Sequence, residues 1–598
     1  MQRRKRRNRR SPPSPDRLLI LHFQVSGPGR AGPGTSRMIE SEGFMDMTAA
    51  IAANDTVTMT RKEKRVIFAA SLGSVFEIYD FFLIGLLATE ITKAFFSGVN
   101  PTAGFIFTLL GFAAGFLLRP FGALVFGRAG DLIGRKYTFL VTIVLMGLST
   151  LSIGLLPTYA NIGIAAPVLF ITMRMLQGLA LGGEFGGAMI YVAEHAPAER
   201  RGAWTAWIIL TAALGFLLAV GVIIPLRFCL SEPDFAVWGW RIPFLVSVLL
   251  LAVSLWIRLK LDETPEFRRM KEEGRASKAP ISETFGEWRY LKLVLIALFG
   301  IVPGQAVIWY TGQFYSLFFL TKVLKIDGTT ANLLVIAATV VTAPLYILFG
   351  ALSDRIGRKP VYLTGYLLGA ILIIPLFHGL AHFGNPDLDN AQREAPIVVV
   401  ADPAQCSLQF NPSGAARFTS SCDVVRAAVA KLGLNYQSSA ATPGAVAQVK
   451  IGDDVIQGFD ASGGQAASKE REFSAALAAT LKKRGYVLDQ VDPASINKPG
   501  IVLVLVLLLS LGTMTFAPSC TALIELFPSR IRYTAMSFPY HLGAAWFGGF
   551  LPATTFAINA ATGDIYAGLL YPSIVAGVAF IIALVLARET KGTDISGA

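Results

Sequence analysis

Apolar runs of about twenty residues recur along most of this 598-residue chain. A helix of that length is what a hydrocarbon core of about 30 Å requires. Charged residues make up 16% of the chain, against roughly a quarter in soluble domains, which excludes a soluble globular class. The pattern predicts an all-α membrane protein with twelve transmembrane helices. The predicted spans lie near 66–96, 104–126, 137–157, 162–190, 203–226, 241–258, 291–320, 329–350, 360–383, 499–522, 533–558 and 565–587.

Two motifs occur twice, once in each half of the chain. Residues 127–136 (GRAGDLIGRK) recur as residues 350–359 (GALSDRIGRK), 223 positions later. An E-x-x-P-x-x-x-R motif begins at Glu194 and again at Glu525, 331 positions later. Parallel repeats related by an axis along the membrane normal are one known transporter architecture. The offset of the second motif, 331, exceeds that of the first, 223, by 108. The second half has therefore gained 108 residues between its copies of the two motifs.

The additional residues form an insert. Between Asp354 and Glu525, the only stretch that is not apolar is residues 384–498, between spans 9 and 10. Lys and Arg cluster before span 1 and in the loops after spans 2, 4 and 6. By the positive-inside rule both termini and these loops are cytoplasmic. The parity of the spans then places the insert outside the cytoplasm.

The pattern of the insert predicts a small α+β domain. A short apolar run at 397–400 is typical of a strand, and helical stretches at about 423–432 and 468–484 are each followed by a glycine. Cys406 and Cys422 both lie in the insert, where an oxidising compartment would allow them to pair. The sequence leaves open whether they form a disulfide.

The N-terminal tail carries most of the formal net charge of +13, because residues 1–37 hold +9 of it. A basic charge points to nucleic acid when it forms a patch on a folded domain. This segment is instead interrupted by Pro, Gly and Ser, so we expect residues 1–60 to be disordered and expect no nucleic-acid partner. The alternatives for the tail are a twin-arginine signal, or a translation start at Met38, Met45, Met47 or Met59.

Ionisable residues inside a membrane span are costly and are therefore functional candidates. Glu77 and Asp80 lie three residues apart in span 1 and share one helix face. Such a pair suits proton binding and release, with a structural ion pair as the alternative. Arg119 in span 2 either holds a substrate carboxylate or neutralises one member of the pair. Glu90, near the outer end of span 1, is expected to be a solvated boundary residue.

Three further spans carry polar candidates. Span 4 has a stripe with steps of three and four residues, which predicts side chains facing the bundle interior, either as binding groups or as a buried structural pair. Span 7 has three polar or aromatic residues at positions i, i+4 and i+8. This spacing predicts that they line a cavity, with ordinary helix packing as the alternative. Span 11 offers a tyrosine and a histidine; a lone histidine in a span is often a satisfied core residue. The candidates are Arg174, Gln177 and Glu184, on a stripe that also includes Leu181, then Gln305, Trp309 and Gln313, then Tyr540 and His541.

Neither a nucleotide-binding loop of the form GxxxxGK[ST] nor a metal-ligand cluster occurs in the sequence. The repeated G-R-K segments belong to short turns between spans. No cofactor and no metal are expected, and the chain is not predicted to be an enzyme.

Several motifs together resemble the major facilitator superfamily, and more closely its metabolite:proton symporter branch. The doubled G-x-x-x-D-x-x-G-R-K loop is the general motif, and the resemblance covers about 60–384 and 499–590. The motifs of the branch are Glu77-Ile-Tyr-Asp80-Phe-Phe, Arg119-Pro, Arg174-x-x-Gln177-Gly178, Gly182-Gly-Glu184, Trp238-Gly-Trp-Arg241-Ile-Pro-Phe244, Glu263-Thr-Pro265-Glu-Phe267, Glu525-Leu-Phe-Pro528-x-x-x-Arg532-Tyr533, and Gly548-Gly with Pro552.

The resemblance implies two six-helix bundles that rock around a midplane site and import small organic acids or zwitterions with protons. His541 stands where the family usually has asparagine, and the insert lies outside the common core of the family. The resemblance also implies that Asp131 and Asp354, with Arg135 and Arg358, are cytoplasmic gate residues. Four charged residues of the second repeated motif are further gating candidates: Glu194, Arg201, Glu525 and Arg532.

We therefore expect a monomeric secondary active transporter in the bacterial inner (plasma) membrane, in contact with lipid, that carries an organic anion or zwitterion with protons. The alternatives are a facilitator or proton-driven exporter, and a membrane-anchored sensor that acts through the insert. The predicted domains are the tail 1–60, the first bundle 61–260, the cytoplasmic loop 261–290, the second bundle 291–383 and 499–590, and the extracytoplasmic insert 384–498.

Overall fold

The predicted spans are all helical in the computed structural model. Within the described residues, nine helices are long and apolar enough to cross a membrane, and the bent helix pair of span 1 makes a tenth. The predicted tail 1–60 lies outside the described residues. The predictions made for it, namely disorder, a twin-arginine signal or a later translation start, therefore stay predictions. The structure describes residues 61–97, 101–260, 263–407, 419–462, 466–492 and 494–595.

The first half of the chain supplies spans 1 to 6. Span 1 bends by 67° at Leu87, between its two helices. The spans are Arg61–Leu86 with Ala88–Phe95, Pro101–Leu132, Arg135–Leu155, Ala165–His195, Arg201–Cys229 and Ile242–Leu259. Short helices lie in the links and in the central loop, at Tyr159–Ile162, Glu232–Val237, Pro265–Glu272 and Pro280–Gly286.

The second half supplies spans 7 to 12, and two of them contain π turns. Such turns are rare in proteins overall, and those that occur are often found at functional sites. In span 7 the helices Trp288–Ile296, Val302–Tyr310 and Ser316–Phe318 alternate with π turns at Ala297–Ile301, Thr311–Tyr315 and Phe319–Val323. The remaining spans are Gly328–Ile356, Arg358–Gly384, Lys498–Leu526, Arg532–Gly543 with Leu551–Thr562 and a π turn at Ala544–Gly549, and Leu570–Leu586.

Glycines allow spans 2 and 4 to pack backbone against backbone. A Cβ on Gly178 would lie 1.9 Å from the carbonyl oxygen of Gly115, and one on Gly182 would lie 2.1 Å from that of Arg119. Neither position can hold a larger residue at this separation, so these two glycines serve close helix packing. The halves meet where span 5 packs on span 8 and span 2 packs on span 11.

The insert is an α+β domain, as predicted. Its sheet has the strand order β2-β1-β3-β4, with β1 parallel to β2 and β3 antiparallel to both β1 and β4. Both predicted helices are present and end at or just before Gly433 and Gly485. The strands are β1 (Ile397–Ala401), β2 (Gln437–Ala440), β3 (Gln448–Ile451) and β4 (Asp454–Gln457), and the helices are α1 (Pro386–Glu394), α2 (Ser421–Leu432) and α3 (Ala466–Lys483).

The insert has a hydrophobic core of its own and attaches to the second half of the chain. The backbone N–H of Tyr436 donates to the carbonyl of Gly563 in the link after span 11, at 2.7 Å. The N–H of Val491 donates to the carbonyl of Lys325 in the link after span 7, at 3.1 Å. The insert therefore sits over the same ends of spans 7 and 11.

A disulfide joins Cys406 to Cys422, which answers the question that the sequence left open. Cys406 follows β1, and Cys422 lies in the first turn of α2. The bond closes a loop with a sequence separation of 16 residues. Loop closure of this size stabilises a domain by about 3 kcal/mol in the chain-entropy treatment.

We expect the double variant Cys406→Ala, Cys422→Ala to lower the protection of the α2 amides against hydrogen exchange by about a hundredfold, because about 3 kcal/mol of stabilisation is lost. Hydrogen exchange followed by mass spectrometry on the intact protein measures this. Cys229→Ala, at an exposed cysteine outside the insert, is the control. Unchanged protection in the double variant would show that the disulfide does not stabilise α2.

Candidate functional site

Glu77 and Asp80 line one narrow space between spans 1, 3 and 6. Both residues are buried, with 5% and 6% of their surface exposed. Asp80 accepts a hydrogen bond of 2.5 Å from the Ser247 hydroxyl of span 6, and Thr150 of span 3 also faces it. Glu77 lies beside Glu184 of span 4. The two carboxylates therefore share a helix face, but each has partners of its own.

Arg258 is the cation at this carboxylate cluster, and sequence analysis missed it. It forms an ion pair with Glu184, whose second oxygen accepts a hydrogen bond of 3.3 Å from Thr142. Arg258 lies in the last turn of span 6, where an arginine ordinarily extends to the membrane surface. Here only 2% of it is exposed, because it turns inward over the Phe139 ring, 4.7 Å from the centroid.

Arg119 lies between the two halves among aromatic rings. Its guanidinium is 4.0 Å from the Phe116 centroid and 4.9 Å from the Phe81 centroid, and the Tyr310 hydroxyl of span 7 is close to it. No ion pair among the described residues joins Arg119 to the carboxylates of span 1. The guanidinium nevertheless lies near enough to Glu77 for the two charges to interact, so both roles considered for Arg119 remain predictions. The guanidinium Nε is buried without a hydrogen-bond partner.

The stripe of span 4 faces the protein interior, as predicted, since all four of its residues are buried. Arg174 donates to the side-chain oxygen of Gln177 at 2.6 Å, and Gln177 donates to the Thr150 hydroxyl at 2.6 Å. Because Thr150 also faces Asp80, a continuous polar chain runs from Arg174 to the carboxylate of span 1.

The candidates of span 7 are all buried, but they do not form a simple α-helical stripe. The indole N–H of Trp309 donates to the Tyr346 hydroxyl of span 8 at 2.9 Å. Gln305 precedes it by one turn, and its side-chain oxygen has no partner. Gln313 lies within the π turn Thr311–Tyr315, which has more residues per turn than an α-helix. A π turn rotates the chain less per residue than an α-helix, so the spacing from Trp309 to Gln313 is not that of a regular α-helix.

In span 11, Tyr540 stacks on Phe185 of span 4, with 4.6 Å between the ring centroids. His541 is 2% exposed, and neither of its ring nitrogens has a hydrogen-bond partner. It lies close enough to Arg119 to experience the charge of the guanidinium. His541 is therefore buried without a hydrogen-bond partner, which differs from the satisfied core histidine considered as one alternative.

Two charge networks join the halves on the face that carries the repeated loops. In the first, Asp131 accepts hydrogen bonds from the N–H groups of Tyr533 and Thr534, at 3.2 and 3.0 Å, where span 11 begins. Glu194 pairs with Arg135 at 3.2 Å and with Arg532 at 2.9 Å. A carboxylate of span 2 thus caps a helix of the opposite half.

The second network repeats the first with the halves exchanged. Asp354 accepts the N–H groups of Gly202 and Ala203, both at 2.8 Å, where span 5 begins. Glu525 pairs with Arg201 at 3.0 Å and with Arg358 at 3.1 Å. All eight candidate gate residues therefore take part in the two networks that join the halves on this face.

Two further carboxylates support these networks within each half. Glu263 accepts the N–H groups of Arg135 and Lys136, both at 3.2 Å, at the start of span 3. Glu589 does the same for Arg358 and Lys359 at the start of span 9, at 2.9 and 3.0 Å. Glu589 was not among the predicted residues, although the Glu-Thr pair at 263–264 recurs at 589–590.

Glu90 is not the solvated residue that the sequence predicts. It is 8% exposed and forms an ion pair of 2.6 Å with Arg227 of span 5. The bend of span 1 turns this end of the helix against its neighbour, which sequence periodicity does not reveal. The described residues contain no group of three or more His, Cys, Asp or Glu side chains that could hold a metal ion.

A family model described as "Sugar (and other) transporter" matches residues 66–400. The proline/betaine transporter of Escherichia coli K12 is 35% identical over 329 residues, which is 54% of this chain and 66% of that protein. The shikimate transporter of the same strain is 32% identical over 345 residues, covering 56% and 77%. The match therefore spans just under two thirds of the length of the proline/betaine relative.

Solved structures agree on the fold. A double tryptophan mutant of XylE has a TM-score of 0.60 at 14% identity, covering 90% of this chain and 98% of that one. The proton:xylose symporter XylE bound to 6-bromo-6-deoxy-D-glucose has a TM-score of 0.57 at 15% identity, covering 89% and 98%. The chain belongs to the sugar (and other) transporter family of the major facilitator superfamily.

Proposed function

We propose that this protein is a proton symporter that imports a small organic acid or zwitterion across the bacterial inner membrane by alternating access. The observation that carries the proposal is a buried carboxylate, Asp80, bonded to Ser247 and connected through Thr150 and Gln177 to Arg174, which lies near enough to Arg119 for the two charges to interact. A carboxylate in that position can take up and release a proton without leaving the protein interior.

Several buried polar atoms between the halves have no partner, which supports a polar substrate there. Leaving such an atom unsatisfied costs about 1–3 kcal/mol, so a group of them indicates a site shaped for a ligand. Arg119 offers donors for a carboxylate, and the surrounding aromatic faces suit an apolar or cationic group. The unpartnered atoms are Nε of Arg119, Oε1 of Gln305, Oγ of Ser537 and both ring nitrogens of His541.

The relatives agree with this chemistry, since their names include proline, betaine and shikimate, which all carry a carboxylate. Membership of a transporter family also weighs against a sensor that acts only through the insert. Both termini and the repeated loops are assigned to the cytoplasm from the distribution of Lys and Arg.

The two charge networks are proposed as the cytoplasmic gate. They hold the halves together on the loop face, so this structure corresponds to the state closed to the cytoplasm. Transport requires that the loaded, protonated carrier breaks these contacts more readily than the half-loaded carrier does.

Uptake into proteoliposomes tests the proposal. A thermal-shift screen against mono-, di- and tricarboxylates, shikimate-like acids, aromatic acids and betaines first selects a substrate. Adding it outside the vesicles should then raise the external pH, because each substrate molecule enters with a proton. No pH change would indicate a facilitator, and a fall in pH would indicate a proton-driven exporter.

We expect Asp131→Ala to slow substrate turnover about tenfold while substrate affinity stays within about twofold. The change removes the cap of span 11 across the halves, and a lost helix cap costs about 1 kcal/mol. Initial uptake rates and equilibrium binding measure the two quantities separately. Asp131→Asn, which keeps one acceptor oxygen, is the matched control and should be less affected. Equal loss of binding and turnover would contradict a gating role.

A further inference from the structure

Two carboxyl groups of the first half of the chain lie in hydrogen-bond contact with each other. They belong to Glu77 of span 1 and Glu184 of span 4, and both side chains are buried. Oε1 of Glu77 receives no hydrogen bond from any donor of the described residues. Two ionised carboxylates can only accept hydrogen bonds and repel each other, so this contact is favourable when one of the two groups carries a proton.

Arg258 of span 6 sets the charge of this pair. Its buried guanidinium forms an ion pair with Glu184. It can turn inward because span 1 has a glycine beside it: a Cβ on Gly73 would lie 2.7 Å from Nε of Arg258. One buried cation compensates one carboxylate, and a buried charge without compensation is strongly unfavourable. The second carboxyl group of the pair is therefore neutral when it holds a proton.

The other charged and titratable groups that face the pair from neighbouring spans do not replace Arg258. Arg119 of span 2 interacts with Glu77 more weakly than Arg258 does, and its guanidinium lies among the aromatic rings of the central site. Span 11 contributes Tyr533 and Tyr540, whose phenol groups are neutral at neutral pH. The compensating charge of the pair thus comes mainly from span 6.

Asp80 is separate from the pair, although it lies on the same face of span 1. Its own contacts are the hydroxyl groups of Ser247 and Thr150. The narrow space that Glu77 and Asp80 both line has a volume of about 10 Å³, close to what one water molecule needs. A proton can therefore pass between these two carboxyl groups without entering the space between the halves.

We propose that Glu77 and Glu184 form a second proton-binding site, in which the two carboxyl groups share one proton and Arg258 is the positioning residue that limits the pair to one. During transport the pair accepts the proton of Asp80. The O–H bond of Asp80 breaks and one forms on Glu77, while the shared proton leaves Glu184 for water at the cytoplasmic end of span 6. The acceptor role rests on the proposed function, whereas the shared proton does not.

Infrared spectroscopy of the intact, purified protein tests the shared proton, because a protonated carboxyl group has its own carbonyl stretch. Isotopically labelled glutamate separates this band from that of Asp80. At neutral pH we expect one glutamic-acid band, which disappears in both Glu77→Gln and Glu184→Gln because the remaining carboxylate then pairs with Arg258. Glu90→Gln removes another buried glutamate of span 1 and should leave the band unchanged.

Variants of Arg258 test its positioning role. Arg258→Gln removes the cation, so both carboxyl groups should be protonated and the band should grow about twofold. Arg258→Lys keeps the charge and should restore the single band. In proteoliposomes, Arg258→Gln should slow proton-coupled uptake at least about tenfold, because a pair that already holds two protons cannot accept another, and Arg258→Lys should restore most of the rate.

The shared proton is overturned if the unaltered protein shows no glutamic-acid band, or if the band survives in Glu184→Gln, since Glu77 would then hold its proton alone. If Arg258→Gln does not fold, the two glutamate variants decide. The acceptor role is overturned if the bands follow the expected pattern but Arg258→Gln takes up substrate at the normal rate. If the pattern holds and the unaltered protein moves no protons with substrate, the proposed function fails and the shared proton stands.

Discussion

Replacing Asp80 by asparagine is expected to abolish proton-driven accumulation of substrate in proteoliposomes. The asparagine side chain is uncharged at every pH and cannot carry a proton, while its amide oxygen can still accept the hydrogen bond from Ser247. A gradient of one pH unit corresponds to about 1.4 kcal/mol, so coupling to one proton supports about tenfold accumulation. The ratio of internal to external substrate should fall from about ten to about one.

Exchange of internal for external substrate without a pH gradient should survive in the same variant, because exchange needs the carrier to move while loaded but not to release its proton. Glu90→Gln is a matched control: it removes another buried carboxylate of span 1, but one that pairs with a half-exposed arginine away from the central site. If Asp80→Asn accumulates substrate normally, the proton is carried elsewhere, and Glu77 is the next candidate.

The spans, the repeated halves, the place of the insert and its two helices could all be predicted, because each depends on local composition or on repetition. Hydrophobic runs set the positions of the spans, and glycines stop α2 and follow α3. The residues of the two charge networks could also be found, since the charged motifs occur twice in the chain. In the structure, a repeated motif of one half pairs with the corresponding motif of the other half. Examples are the ion pairs of Glu194 with Arg532 and of Glu525 with Arg201.

The partners of the central carboxylates could not be predicted, because they come from other spans. Ser247 and Thr150 are ordinary small polar residues in their own helices, and their function depends on which helix packs beside span 1. Arg258 was missed because its direction, inward rather than toward the membrane surface, is decided by its pairing with Glu184. The π turns of span 7 have no periodic signal in the sequence, so the rotation of the chain between Trp309 and Gln313 could not be predicted.

Replacing Glu525 by glutamine should open the gate. The Glu525 carboxylate pairs with both Arg201 and Arg358, and its side chain has 0% exposure. Removing one partner from a buried ion pair costs about 3–5 kcal/mol, because the remaining charges stay buried without compensation. In the proposed gate only the closed state makes these contacts, so a cost of about 3 kcal/mol should shift the balance toward the open state by about 150-fold.

The native Cys520 reports this shift. It lies in span 10, five residues before Glu525 toward the middle of the span, and is fully buried when the gate is closed. With Cys229 replaced by alanine and Cys406 bonded to Cys422, it is the only free cysteine of the chain. We expect N-ethylmaleimide to label Cys520 at least about tenfold faster in Glu525→Gln than in the protein with an intact gate.

Glu589→Gln is the matched control for this result. Its carboxylate caps span 9 on the same face and contacts Arg358, but its bonds to Arg358 and Lys359 lie within the second half. It should lower stability by about 1 kcal/mol, as a lost cap does, without speeding the labelling of Cys520. Glu194→Gln should act as Glu525→Gln does, because the first network repeats the second. Equal labelling rates in Glu525→Gln and Glu589→Gln would mean that bonds across the halves do not hold the gate closed.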